Sequence, residues 1–180
     1  MHGFALVLAL VAATPSAQVL EVHPGLPPLE FRILPGPPSQ NAWNIPRDQA
    51  KDPHWIGHVK ITRKGEKKPF QTIRVLGYGS PMDLDRSRFA DVNFDGYTDL
   101  LLGHDGGAIW EGYEIYFYDP ASGSFIQNAL SREMSEKLAG HNLDFHPEKK
   151  EIVVTHFLGS SSYSQTFVLR DGTLEELPNR

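Results

Sequence analysis

The residues with the clearest chemical signal form one short acidic stretch, residues 91–99, which reads Asp-Val-Asn-Phe-Asp-Gly-Tyr-Thr-Asp. Oxygen-bearing side chains occupy its first, third, fifth and ninth positions, and glycine occupies the sixth. Calcium prefers about six to eight oxygen ligands from a tightly curled loop, and glycine at the sixth position permits the sharp turn. We therefore predict a calcium site. Its ligands are the side chains of Asp91, Asn93, Asp95 and Asp99 and the backbone carbonyl of Tyr97.

The residues after this stretch exclude an EF-hand. An EF-hand loop continues to a bidentate glutamate at its twelfth position and then enters a helix. Here the twelfth position is Leu102, in a leucine run that ends at Gly103 and is typical of a β-strand. The alternative is a plain hairpin turn, since Asp, Asn and Gly favour turns. We favour calcium because a plain turn would not need three carboxylates so close together. Within about 5 Å of one another they repel by about 3 kcal/mol per pair at an effective dielectric constant of about 20.

A second stretch, residues 158–166, is rich in hydroxyl groups and small side chains and reads Leu-Gly-Ser-Ser-Ser-Tyr-Ser-Gln-Thr. It lies between two predicted strands, residues 152–157 and 165–169. One interpretation is a flexible connection. The other is a recognition loop, because small residues can enter a cleft and hydroxyl groups can donate hydrogen bonds to carboxylates there. The residues alone leave both open, and the candidate partner-binding residues are Gly159, Ser160, Ser161, Ser162 and Tyr163.

Three weaker groups complete the candidate chemistry: a histidine pair, an aspartate trio and a serine–histidine–aspartate triple. They are His54 and His58; Asp83, Asp85 and Asp105; and Ser160, His156 and Asp144. The histidines share one side of a predicted strand without a third ligand nearby. The aspartates either supplement the calcium site or are solvated loop carboxylates, which we favour. The triple has no G-x-S-x-G nucleophile elbow. We therefore expect no catalytic residues and no enzymatic activity.

Composition sets the limits of these interpretations. The chain has 180 residues, a formal charge of −5 and 40% hydrophobic residues, enough for one domain with a substantial core. The acidic balance argues against nucleic-acid binding, and the basic run at residues 64–68 is interrupted by Gly65 and Glu66, as at a hairpin tip. The chain has no cysteine, which excludes disulfides, zinc–thiolate sites, a cysteine nucleophile and a lipoprotein anchor.

The N-terminus predicts export. Residues 4–13 form an apolar run, and small residues follow at 14–17, where a signal peptidase would cut. The run is too short to span a bilayer. The n-region has His2 but no Lys or Arg, and the alternative is a buried first strand or helix. We expect a signal peptide at residues 1–17 and a mature protein that is periplasmic or secreted, without a membrane segment.

The predicted elements that position these residues are mostly short strands. Dense prolines give residues 18–53 an extended, irregular character, and residues 54–180 form the predicted calcium-binding β domain. One helix is predicted at residues 129–138, with Ser131 near its start and Gly140 as its stop. The fold class is all-β, a sandwich, barrel or small propeller, with this helix inserted. Strands are predicted at 29–34, 55–62, 70–76, 88–90, 99–102, 113–118, 125–126, 152–157, 165–169 and 174–177.

Residues 89–177 resemble the calcium-binding, lysozyme-inhibitor-like immunity proteins associated with bacterial-killing type IV secretion systems. The resemblance rests on the stretch 90–100, on Tyr-Phe-Tyr-Asp-Pro at 116–120 with Gly123 and Phe125, and on the Gly-Ser-Tyr stretch 159–163. It implies a small β-propeller with bound calcium, export to the periplasm and inhibition of a peptidoglycan-cutting muramidase. Residues 159–163 look like the motif that periplasmic lysozyme inhibitors push into the enzyme cleft.

Two functional hypotheses follow. The first is a periplasmic or secreted immunity protein whose partner is a lysozyme-like peptidoglycan hydrolase. The second is a calcium-stabilised extracellular binding or adhesion module of the FG-GAP type without inhibitor activity, because FG-GAP repeats and dockerins share the calcium motif. Tandem copies of the loop would favour the second, and this chain has one copy. A hydrolase with an unrecognised site is a weaker third hypothesis.

Overall fold

The structure is a computed structural model that describes residues 17–35, 55–76, 87–105 and 111–178. These parts of the chain contain twelve strands and one helix. The strands form three antiparallel sheets of four, and each sheet consists of strands that are consecutive in the chain. The elements are β1 Ala17–Leu20, β2 Leu29–Pro35, β3 Trp55–Arg63, β4 Gln71–Leu76, β5 Arg88–Ala90, β6 Asp99–Asp105, β7 Glu111–Asp119, β8 Ser124–Ile126, α1 Ala129–Lys137, β9 Asn142–His146, β10 Glu151–Leu158, β11 Ser161–Arg170 and β12 Thr173–Leu177.

The first sheet has the order β1-β2-β3-β4. Alternation along β3 buries Val59 and Ile61 while Lys60 faces solvent, as the sequence pattern predicts. The predicted strand at residues 29–34 is confirmed as β2. A further strand, β1, pairs with β2 although the sequence pattern did not indicate it. The described part of the proline-rich segment is therefore built into one sheet with β3 and β4, and residues 36–54 lie outside the described residues.

The second sheet, in the order β5-β6-β7-β8, is buried on both faces. Leu100 and Leu102 pack into a core shared with the first sheet, here called the first core. Leu101 packs into a core shared with the helix and the third sheet, here called the second core. This two-sided burial explains why β6 reads as a continuous apolar run. The side chain of Gln71 links β4 to β8, donating to the Phe125 carbonyl at 2.6 Å and accepting from the Phe125 N–H at 2.9 Å.

Helix α1 confirms the predicted helix, and a capping box begins it. Asn128 Oδ1 accepts from the Ser131 N–H, and Ser131 Oγ accepts from the Asn128 N–H, both at 2.9 Å. Met134 and Leu138 lie fully buried in the second core. Gly140 follows the helix for a further reason, since a Cβ there would overlap Val154 Cγ1 on β10. The chain therefore passes against the third sheet too closely for a side chain.

The third sheet has the order β12-β11-β10-β9. The predicted terminal hairpin is confirmed as β11 and β12, with Asp171 at φ 49° and Gly172 at φ 76°, as a two-residue I′ turn requires. Strand β9 was not predicted because Asn-Leu-Asp-Phe-His carries only two apolar residues. Its Leu143 is buried against the second core.

The all-β class with one short inserted helix is confirmed. Pairing among the described strands leaves three separate sheets rather than one closed barrel, so the propeller arrangement stays a prediction. The predicted signal peptide falls almost wholly outside the described residues, and its last residue, Ala17, begins β1. Within the described ranges, no helix has the length and apolar character needed to cross a membrane.

Candidate functional site

The acidic stretch forms a tightly curled connection between β5 and β6. Phe94 and Gly96 both adopt left-handed backbone conformations, with φ of 59° and 91°. A Cβ on Gly96 would meet nothing within 4 Å, so the glycine is there for its backbone conformation and not for space. The curl turns the polar side chains of the stretch inward toward its own backbone. We call residues 91–99 the acidic loop.

Side-chain oxygens at the first, third and fifth positions accept hydrogen bonds from the loop's own N–H groups. Asp91 accepts from Asp95 at 3.0 Å and from Gly96 at 2.9 Å. Asn93 Oδ1 accepts from the Asp95 N–H at 3.1 Å, and Asp95 Oδ1 accepts from the Tyr97 N–H at 2.9 Å. These bonds hold the three side chains against the backbone of the loop.

Asp99 is the buried end of the loop, with no exposed surface. Its Oδ2 accepts from the Val92 N–H at 3.0 Å and its Oδ1 from the Tyr118 N–H at 2.9 Å, which joins the loop to β7. Burial raises the pKa of Asp99 to about 7; the two N–H groups lower it, and the negative charges of Asp95 and Asp91 raise it further. A cation near this carboxylate would offset both the desolvation and the repulsion.

The donor set fits calcium by its chemistry. It comprises three carboxylates, one amide oxygen and the backbone carbonyl of Tyr97, all hard oxygen ligands. In the parts of the chain that the structure describes, no group of three or more His, Cys, Asp or Glu side chains converges on a metal-sized position. The carboxylate oxygens are engaged with N–H groups, and each keeps a second lone pair. Calcium at Asp91, Asn93, Asp95, Tyr97 and Asp99 therefore stays a prediction.

An N-terminal turn packs against the acidic loop, which the sequence pattern did not indicate. The Thr98 N–H donates to the Val22 carbonyl at 2.9 Å, and Val22 is buried in the first core. The His23 ring lies 4.8 Å from the Tyr97 ring, and Tyr97 stacks on Tyr118 at 5.5 Å. The acidic loop is thus held between the second sheet and the chain that follows β1.

The predicted recognition loop at residues 159–163 is shorter than the sequence suggested. Strands β10 and β11 extend to Leu158 and from Ser161, so Gly159 and Ser160 alone form the turn. Gly159 has φ 63°, which suits a two-residue hairpin turn. The remaining candidates, Ser161, Ser162 and Tyr163, lie in the first three positions of β11. Serines near a hairpin end do not interrupt the backbone ladder, and this is why the loop prediction was too long.

The hairpin tip, residues 157–163, presents Tyr163 in a fixed orientation. Its ring stacks on His156 with centroids 4.6 Å apart and an interplanar angle of 12°. His156 is buried, and its Nε2 donates to Gln165 Oε1 at 2.9 Å. Gln165 Nε2 donates in turn to Glu176 Oε1 on β12 at 2.9 Å. The exposed tyrosine therefore rests on a ring that is itself held by hydrogen bonds across the sheet.

Among the weaker candidates, those within the described residues do not come together as a site. His156 bonds Gln165, whereas Asp144 lies on β9 opposite Val153 and accepts from the Asn142 amide at 3.1 Å, so the triple does not form a triad. His58 lies on β3, and Asp105 ends β6. His54, Asp83 and Asp85 lie outside the described residues.

Comparisons with known proteins place the chain in no family. No family model matches it, and no curated protein matches it. One similar solved structure is described as "Structure of a Xanthomonas Type IV Secretion System related protein". It has a TM-score of 0.37 and 13% identity, and the match covers 92% of this chain and 99% of that chain.

Proposed function

We propose that this chain is an exported, calcium-binding immunity protein that inhibits a peptidoglycan-degrading muramidase. The hairpin tip enters the active-site cleft of the enzyme and blocks access of the glycan. The observation that carries the proposal is the tip itself, where Gly159, Ser160, Ser161 and Ser162 adjoin the exposed Tyr163 stacked on His156. The resemblance of residues 89–177 to the immunity proteins supports the same function.

The chemistry of the target explains why this tip suits it. Glycoside hydrolases place two carboxylates several ångströms apart across a cleft. Hydroxyl groups of Ser160, Ser161, Ser162 and Tyr163 donate hydrogen bonds to those carboxylates, each contributing roughly 1.5 to 3 kcal/mol to a charged acceptor. The His156 stack holds the Tyr163 ring before binding, which lowers the entropy lost when the complex forms.

Calcium stabilises the scaffold in this proposal and takes no part in inhibition. The ion is held by Asp91, Asn93, Asp95, the Tyr97 carbonyl and Asp99, on the connection between β5 and β6. The hydrogen bond from the Tyr118 N–H to Asp99 links the ion site to β7, so that binding of the ion also stabilises the second sheet. Each sheet is an up-and-down meander of four consecutive strands, the arrangement of a propeller blade, so we also propose that the three sheets are blades of a small propeller.

An inhibition titration tests the function. The full mature chain is titrated against lysozyme-fold muramidases clearing a peptidoglycan suspension, beginning with any encoded beside its gene. Tyr163→Ala and a combined Ser160/Ser161/Ser162→Ala variant should each weaken inhibition at least about tenfold, or about 1.4 kcal/mol. Thr173→Ala, an exposed hydroxyl at the opposite end of the third sheet, serves as the control and should inhibit like the wild type.

Each outcome distinguishes the hypotheses. Equal inhibition by the wild type and both tip variants would place the contact on another face. A wild-type chain that binds the cell envelope in calcium yet inhibits no muramidase would refute the inhibitor function and favour the FG-GAP-type binding module. Unchanged thermal melts of the variants are required for either conclusion.

A further inference from the structure

Exposed apolar side chains are concentrated at the hairpin tip. Phe157, Leu158 and Tyr163 are 48%, 55% and 41% exposed. The other large hydrophobic residues with comparable exposure among those described, Val19 and Ile126, lie singly on β1 and β8. Isolated exposed apolar residues are ordinary, whereas several together mark an interaction surface. The tip is therefore the described part of the chain that best fits a protein partner.

These side chains point to both faces of the hairpin. The register sets Phe157 opposite Ser162, Leu158 opposite Ser161 and Tyr163 opposite His156. Because successive side chains alternate, Leu158 and Tyr163 share one face and Phe157 lies on the other. A hairpin that docks flat on a partner needs an apolar surface on one face only. Apolar groups on both faces suit insertion between two walls.

Both faces are held in place before any partner binds. The Phe157 N–H donates to His141 Nδ1 at 3.0 Å, and the two rings meet edge to face with centroids 5.2 Å apart. His141 is itself held by β10, since its backbone N–H donates to the Thr155 carbonyl at 2.9 Å. Tyr163 rests on His156 on the opposite face. A preorganised surface of this kind loses little side-chain entropy on binding.

The absence of Asp, Glu, Lys and Arg from the hairpin bears on the kind of cleft that it can enter. Residues 152–169 contain no Asp, Glu, Lys or Arg, in a chain whose formal charge is −5. An acidic tip would be repelled by a pair of catalytic carboxylates, and a lysine or arginine there would give a salt-dependent attraction. An uncharged tip with hydroxyl groups between apolar flanks matches a cleft with carboxylates at its base and apolar walls.

We infer that the hairpin tip is a two-sided wedge, in which Phe157 contacts one wall of a glycoside hydrolase cleft and Leu158 and Tyr163 contact the opposite wall. The inference rests on the proposed function and adds Phe157 and Leu158 to its binding residues. Ser160 lies in the turn at the leading end of the wedge and faces the carboxylates, while Ser161 lies on the Leu158 face and Ser162 on the Phe157 face. Affinity therefore depends on both faces of the hairpin and not on the serines and Tyr163 alone.

Inhibition titrations of the full mature chain test the wedge. Phe157→Ser and Leu158→Ser should each weaken inhibition at least about fivefold, as expected for apolar side chains at the centre of an interface. Ile126→Ser and Val19→Ser are matched controls, since they remove similarly exposed side chains from other sheets, and they should stay within about twofold of the wild type.

A charge pair at Leu158 provides a test that does not depend on packing in the hairpin. This side chain is more than half exposed, so Leu158→Asp and Leu158→Lys should both fold, which melts will verify. Leu158→Asp should weaken inhibition more than Leu158→Lys, because the cleft is anionic. If Leu158→Lys weakens inhibition more than Leu158→Asp, the cleft is not anionic.

The remaining outcomes are equally decisive. If the wild type inhibits and only one of Phe157→Ser and Leu158→Ser weakens inhibition, the hairpin docks flat and the wedge is refuted. If the wild type inhibits and neither of these two variants changes affinity, Phe157 and Leu158 are not contacts, while the proposed function stands. If the wild type inhibits no muramidase, the proposed function and the wedge both fall.

Discussion

Asp99 connects the acidic loop to the core, and replacing it with asparagine separates a structural contribution from a metal contribution. Its two oxygens accept from the buried N–H groups of Val92 and Tyr118. Asparagine retains one acceptor and turns an NH₂ group toward the other N–H. One buried donor is then left without an acceptor, at a cost of about 1 to 3 kcal/mol.

The expected shift is measurable in a thermal melt. A loss of about 2 kcal/mol should lower the melting temperature of a chain of this size by about 4 to 8 °C in the presence of a chelator. In calcium at about a hundredfold excess over Kd, the wild type should gain about 2.7 kcal/mol, and Asp99→Asn should lose most of that gain because a ligand carries less charge.

Asp95→Asn is the matched control for this measurement. Asp95 is exposed, and its bond to the Tyr97 N–H is accessible to water, so the variant should melt near the wild type in chelator yet lose the calcium gain. An Asp99→Asn melt that matches the wild type in chelator would refute the argument from buried N–H groups. A wild-type melt that does not move between chelator and calcium would refute the metal site.

Three further predictions concern other parts of the chain. Gly140→Ala should lower the free energy of unfolding by about 1 to 3 kcal/mol in denaturant titrations, because its Cβ would overlap Val154, and a wild-type midpoint would contradict the close approach. The Asp119 pKa is lowered by the Ser122 hydroxyl and by N–H groups of the same turn. Its stabilising contribution is thus present above the unfolded pKa and lost as pH falls through the folded value, and Asp119→Asn should flatten that part of the acid-unfolding curve. Mass spectrometry of the exported protein should find a chain beginning near Gln18, and an intact first residue on cytosolic protein would contradict the signal peptide.

Local pattern was sufficient for much of the secondary structure. Alternation predicted β3 and β4, the Asp-Gly turn predicted the hairpin that ends in β12, and the spacing of apolar residues with a stop at Gly140 predicted α1. Both periods depend only on backbone geometry, which places every second side chain of a strand and every third or fourth of a helix on one face. The donor types of the acidic loop were likewise readable, because oxygen-rich side chains and a turn-permitting glycine are properties of neighbouring residues.

Partners distant in the chain decided the rest. Strand β9 is only five residues long with two apolar side chains, and it forms because β10 supplies its hydrogen bonds and the second core receives Leu143. Tyr97 could be proposed as a carbonyl ligand from its position, but its packing between His23 and Tyr118 depends on chain segments about 75 residues before it and about 20 after it.

The recognition stretch shows the same division. The sequence by itself determined that residues 159–163 are uncharged and rich in hydroxyl groups, with small residues up to Ser162 followed by Tyr163. The tertiary structure decided that Ser161, Ser162 and Tyr163 belong to a strand, that Tyr163 stacks on His156, and that Phe157 and Leu158 extend past the core on opposite faces. Side-chain size, charge and hydroxyl content belong to each residue and can be read from the sequence. Exposure and stacking depend on the register of β10 with β11 and on where the core beneath them ends.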